Sequence, residues 1–160
     1  MNRWTSAISA LLAAAVAVGP ASAGPSGCGL PDISGSSELH QFLSLRAVDI
    51  IKQAAGSDEG LAALVTPTAS FSLGAGDVGR PLGTGVNGAR TLVQMMKADT
   101  YRYLGWDYMD MPADPCSKQK VEVDFIDSQG KSVSRVEFTF EAGRVVSAEG
   151  WQRTFEAGRL

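Results

Sequence analysis

The chain has 160 residues, 14 basic and 17 acidic, giving a formal net charge of −3, with 44 % hydrophobic residues, one histidine and two cysteines. That length suits one domain with one core. The Lys and Arg residues are scattered rather than clustered, which excludes nucleic acid as a partner, and one histidine with two distant cysteines offers no metal-ligand spacing.

Residues 1–23 read as a cleaved signal peptide: Arg3 is the only charge, ISALLAAAVAV is a short apolar core, and Ala21-Ser22-Ala23 closes with an A-x-A pattern. The core is too short for a membrane-spanning helix, which needs about 20 apolar residues. No later stretch is long and apolar enough either, so no membrane contact is expected after cleavage. The product is expected to begin at Gly24, to be one charge more acidic, and to be exported, either periplasmic or secreted. In that oxidising setting Cys28 and Cys116 are expected to form a disulfide. The alternatives are two free buried thiols, or a lipid on Cys28, for which PSGC lacks the aliphatic residue three places upstream. Residues 24–35, rich in Gly, Pro and Ser, are a flexible tail, and 36–157 form a single domain.

Ser36 or Ser37 caps a first helix, in which Leu39, Phe42, Leu43, Ala47, Ile50, Ile51 and Ala54 make one apolar stripe ending at Gly56. His40 lies at the edge of that stripe and Arg46 within it. Ser57 caps a short second helix, DEGLAALV, which Thr66-Pro67 stops. ASFSL (69–73) alternates as a strand, and 74–88, with six glycines, reads as a loop. ARTLVQMMKA (89–98) is a third helix. In the strand 100–111, Tyr101 and Tyr103 share one face and Trp106 and Tyr108 the other, unless Gly105 is a bulge that aligns all four; the bulge is preferred.

After the PADPCS loop the period-2 alternation is strongest. Val121, Val123 and Phe125 alternate with Glu122 and Asp124, and Val136, Phe138 and Phe140 with Glu137 and Thr139. SQGK and EAGR supply turns in which glycine takes a positive φ. TFEAGR recurs at 139–144 and 154–159, which reads as reused turn grammar rather than a structural repeat. Helices gathered on one side of an antiparallel sheet make an α+β domain.

The segments LAALVTPTASFSL, GARTLVQMMKA and VEFTFEAGRVVSAEGW, in that order, resemble the nuclear transport factor 2-like superfamily, which includes the SnoaL-like and ketosteroid isomerase-like proteins. The resemblance covers about residues 36–155. It implies a cone or half-barrel of strongly curved antiparallel sheet, covered by the three helices and enclosing a pocket. Members include isomerases, dehydratases, cyclases, epoxide hydrolases and non-catalytic modules, so the fold does not choose a function.

Tyr101, Tyr103, Trp106 and Tyr108 are the candidate ligand-pocket residues, and equally ordinary core or a dimer-facing surface. His40 is a weak candidate general base; the plainer reading is a helix-edge histidine. Among the acids, Asp77, Asp99, Asp107, Asp110 and Asp124 were weighed as pocket carboxylates, with Asp124 placed on a wet face. GTGVNG (83–88) fits G-x-G-x-x-G but lacks the parallel strand of a dinucleotide site, so no cofactor is expected. The function expected is binding of a small apolar molecule in the cone; the alternatives are an isomerase, lyase or hydrolase using a pocket carboxylate or His40, and a homodimeric interaction module.

Overall fold

A computed structural model of the protein describes residues 28–54, 56–75, 78–104 and 113–155. These form helices α1 (Ser36–Gln53), α2 (Asp58–Leu64) and α3 (Gly85–Met96), and strands β1 (Val65–Ala75), β2 (Val78–Thr84), β3 (Thr100–Leu104), β4 (Gln119–Asp127), β5 (Ser132–Glu141) and β6 (Arg144–Thr154). The signal-peptide segment, Trp106, Tyr108, the Gly105 bulge and most of the second TFEAGR copy lie outside the described residues.

The strands make one open, curved sheet in the order β2-β1-β6-β5-β4-β3, with the helices against it. Four ladders are antiparallel, and β1 pairs with β6 in parallel. The register slips at Phe71/Ser72, between Val65 and Ser70, and at Thr139/Phe140. Each slip bends its strand and sharpens the local twist. Pro67 falls inside the second slip, where its missing N–H removes no ladder bond.

Alternation sorts the side chains as expected. Val121, Val123, Phe125, Val136, Phe138 and Phe140 point to the helical side and are buried. They join Leu39, Leu43 and Ile50 of α1 and Leu92 and Met96 of α3 in one core. Burying each large side chain stabilises by about 1.5–3 kcal/mol.

Three local readings change. The glycine-rich stretch 74–88 is mostly the β1–β2 hairpin and the first turn of α3, not a loop. Its strand β2 is an exposed edge and therefore needs no apolar alternation. Helix α1 is preceded by Gly35 with no side-chain cap; instead the Ser34 N–H donates to Glu38 at 3.0 Å. In the β4–β5 turn the positive φ belongs to Lys131 (50°) rather than Gly130, whose N–H is held by Asp127 Oδ1 at 2.7 Å.

Cys28 and Cys116 are disulfide-bonded across a separation of 88 residues. The link anchors the N-terminal tail at the β5–β6 turn, where the Ala142 N–H donates to Cys116 O at 2.9 Å. Leu30, just after the bridge, is buried beside Gly143. Closing so long a loop stabilises by up to about 4 kcal/mol on the chain-entropy model. Replacing both cysteines by alanine is therefore expected to lower the unfolding free energy by about 2–4 kcal/mol in urea titrations, with the native fold retained. A loss under about 0.5 kcal/mol would show that the tail is not held through this bond.

Candidate functional site at the rim of the concave face

The hollow expected inside the cone is largely occupied. Phe125, Phe138, Phe140, Leu39, Leu43 and Met96 are each at most 1 % exposed and pack into one another there. Phe125 and Phe138 meet edge to face with centroids 6.1 Å apart, the geometry that the aromatic quadrupole favours. Room for a ligand among the described residues therefore lies at the margin of the concave face.

Register defines that margin. Tyr101 pairs with Phe125, Phe125 with Ser134, Ser134 with Gln152, Gln152 with Ala75, and Ala75 with Val78. Directly opposed residues share a face, so these six form one row across the whole sheet on its helical side. The row is apolar at both ends and polar in the middle. Gln152 Nε2 donates to Ser134 Oγ at 3.3 Å and Ser132 Oγ at 3.4 Å, and both serines are buried. At the β2 end a cavity of about 340 Å³ is lined by Leu73, Gly74, Ala75, Val78, Arg80, Met95 and Gln152. Ser134, Gln152 and Met95 were not singled out from the sequence. Only the strand register shows that Gln152 faces inward.

At the other end stand two of the four expected aromatics. Tyr101 and Tyr103 contact each other with centroids 5.3 Å apart and planes tilted by 54°. Tyr103 packs on the core, whereas Tyr101 is 42 % exposed. Burial, then the hydrogen bond and charge of Tyr101, then the charge of Asp49 push the Tyr103 phenol up to about 12. It is thus a neutral hydrogen-bonding group at any physiological pH, suited to orienting a ligand and not to proton abstraction.

His40 is buried on α1, 2 % exposed, with no hydrogen bond or ion pair recorded to it among the described residues. Burial lowers its pKa below the usual 6.5, so it is neutral at pH 7. A general base needs a reachable substrate proton and an orienting partner; His40 reads instead as a core histidine.

The acids are corrected more sharply. Asp124 does lie on the outer face, but it is not solvated: its carboxylate is fully buried. Arg102 Nη2 donates to it at 2.7 Å and Arg135 Nε at 2.9 Å. Those arginine side chains are 52 % and 46 % exposed, so they form a thin lid. Burial alone would raise the Asp124 pKa, but the bonds and charges of Arg135 and Arg102 outweigh it and hold the carboxyl below its usual range. Asp99 is committed to Ser128, accepting from its N–H at 3.1 Å and its hydroxyl at 3.0 Å. Asp77, Asp107 and Asp110 lie outside the described residues.

A larger cleft of about 550 Å³ lies between α2, β1 and the start of α3, lined by Glu59, Thr66, Gly85, Asn87 and Arg144 among others. The GTGVNG motif borders it. Its glycines serve packing: a Cβ on Gly88 would lie 2.7 Å from the Phe71 ring, and one on Gly85 2.7 Å from Pro67 O. The strand before the motif, β2, is an antiparallel edge, which confirms that the motif is not in a dinucleotide-site context. Arg144 already closes the end of α2, donating to Ala62 O at 2.7 Å and Val65 O at 2.5 Å.

No family model matches the sequence, and no curated protein matches it. Several solved structures are similar in shape. An NTF-2-like protein of unknown function from Silicibacter pomeroyi is 10 % identical, with a TM-score of 0.47 over 75 % of this chain and 98 % of that one. An NTF2-like protein from Burkholderia xenovorans is 12 % identical, with a TM-score of 0.43 over 72 % and 92 %. A de novo designed NTF2-fold protein is 9 % identical, with a TM-score of 0.42 over 78 % and 88 %. These likenesses say nothing of activity. In its own element order, open curved sheet and three covering helices, the chain has the nuclear transport factor 2-like architecture that its sequence resembles.

Two pH effects follow. Asp124→Asn is expected to cost about 1–2 kcal/mol at pH 7, a charge-assisted network discounted for its half-exposed arginines. Because the folded pKa is depressed, that contribution is present above the ordinary 3.8 and disappears as pH falls through the folded value. Urea titrations of the two proteins should therefore converge below about pH 4; a gap unchanged down to pH 2 would refute the assignment. His40 also resists protonation when folded, so stability should decline as pH falls below 6.5. His40→Leu should flatten the profile between about pH 6.5 and pH 5 whatever its effect at neutral pH.

Proposed function

We propose that this protein is an exported, non-catalytic binding domain that holds a small, largely apolar molecule at the rim of its concave face. The observation that carries the reading is the cavity of about 340 Å³ beside a polar centre: Leu73, Val78 and Met95 take an apolar body, and Gln152 and Arg80 meet a polar end. Its volume lies at the small end of the range for ligand sites. Tyr101 and Tyr103, in the same strip of the face, offer a second aromatic contact for a longer molecule. Export is supported by the signal-like segment 1–23 and by the disulfide, which suits an oxidising compartment. Among the described residues no helix is long and apolar enough to cross a membrane.

The enzymatic alternative needs an inward acid or base. Of the described candidates, Asp124 points outward under two arginines, Asp99 holds a turn, and His40 is buried in the packing of α1. None converges with another on a common point, and acid–base chemistry requires that.

The test is native mass spectrometry of the protein purified from its source. The expected spectrum carries a non-covalent adduct of a few hundred daltons, within the size a cavity of this class takes. Met95→Trp, which fills the cavity, should abolish the adduct while the circular dichroism spectrum is kept. An adduct that survives Met95→Trp would move the site elsewhere, and protein free of adduct from every extract would overturn the binding reading.

A further inference from the structure

The outer face of the sheet carries its charges in separate rows. Register places Glu122 beside Glu137 and Glu137 beside Glu149, three glutamates abreast on β4, β5 and β6. Two residues along the same strands, Arg102, Asp124, Arg135 and Trp151 stand abreast on β3 to β6. Like charges directly opposed across strands destabilise a sheet. Among the described residues only Glu137 has an ion-pair partner in the acidic row, Lys120 at 2.7 Å. In the other row Asp124 lies beneath its arginines, so what that row shows to solvent is guanidinium.

Trp151 extends the basic row as an apolar platform. It is 48 % exposed and lies over Gly74, where any Cβ would collide with the indole, with its far edge 3.9 Å from the Cβ position of Gly79. The two glycines thus seat the ring flat across β1 and β2. A half-exposed tryptophan fixed between charged rows has the composition of an interface centre.

We infer that this face binds a second copy of the chain in a two-fold pair, with the arginine row of each copy set on the glutamate row of the other. Charge selects the occupant. A purely acidic or purely basic partner would satisfy one row and be repelled by the neighbouring one, about 7 Å away. A two-fold axis running across the strands, midway between the rows, instead brings Arg135 over Glu137 of the second copy and Trp151 over its Glu149. On β4 the guanidiniums that cover Asp124 face the other copy's Glu122. The contact is isologous, so each favourable pair occurs twice and the assembly closes. Six strands of these lengths span on the order of 850 Å², matching the roughly 800 Å² per partner of a standard interface.

Sedimentation velocity on the disulfide-bonded protein tests this. A dimer is expected that weakens at least about tenfold as NaCl rises from about 50 to about 500 mM, since rim charges are screened. Glu137→Lys with Glu149→Lys, at accessible positions outside the core, should give a monomer at low salt with an unchanged thermal melt. Trp151→Ser should also weaken the pair by at least about tenfold, as interface tryptophans do. A dimer insensitive to both salt and these substitutions, a monomer at every concentration up to about 1 mM, or an open assembly that keeps growing with concentration would each overturn the inference.

Discussion

The β5–β6 turn is where the structure is tied together. Gly143 O accepts from Arg46 of α1, and Ala142 N–H donates to Cys116 O. Leu30 packs against Gly143, and Arg144 reaches Ala62 O and Val65 O at the end of α2. One four-residue turn thus holds the tail, the disulfide loop and two helices. Its importance follows from what it begins, since β6 is the strand on which the sheet is centred: β5 flanks it on one side and β1 on the other. The last strand in the chain therefore joins the N-terminal hairpin to the C-terminal meander. These are non-local pairings, and their loop entropy must be met before any contact rewards it. The disulfide offsets part of that cost by restricting the same long excursion in the unfolded chain.

The C-terminal strands were legible because one face of each is dry and the other is not, and alternation reports that directly. The first two helices were legible from an apolar stripe and from turn residues. β2 was not, because an exposed edge strand has no dry face to leave a pattern. Its glycines, which argue for a loop in isolation, include Gly79 lying under Trp151 from a strand about 70 residues away, a relation that no local window contains. Asp124 shows the same limit in reverse. Alternation put it on the outer face, and it is there. Alternation cannot say that Arg102 and Arg135 lie abreast of it and seal it, because that depends on the register of three strands at once. Tyr101 and Tyr103 were placed on one face correctly, whereas the polar centre of their row, Ser134 and Gln152, emerged only when the strands were aligned.

The inner face divides into two uses of the same curvature. Deep in the concavity, three phenylalanines and the apolar faces of α1 and α3 close-pack, and what they supply is stability. At the margin the packing gives way to Ser134, Gln152 and the cavity by Met95, where a loss of contacts costs the core little. A binding site there does not compete with the core for volume, which is one way a domain of this length can hold both.

The outer face needs a different explanation, since its charged rows are not required for folding. A buried ion network is often no more stable than well-packed apolar residues of similar volume, so Asp124 with its two arginines is weak evidence for a gain in stability. Its geometric effect is clearer. Asp124 holds Arg102 and Arg135 down along the sheet in fixed positions, with bonds of 2.7 and 2.9 Å, rather than leaving two long side chains free to wander. Fixed guanidiniums beside a fixed tryptophan lose less entropy on meeting carboxylates than mobile ones do. The glutamate row, strained by its own like charges, gains most from such an encounter. The same arrangement that burdens the isolated sheet therefore prepares it for a partner carrying the identical pattern in reverse order.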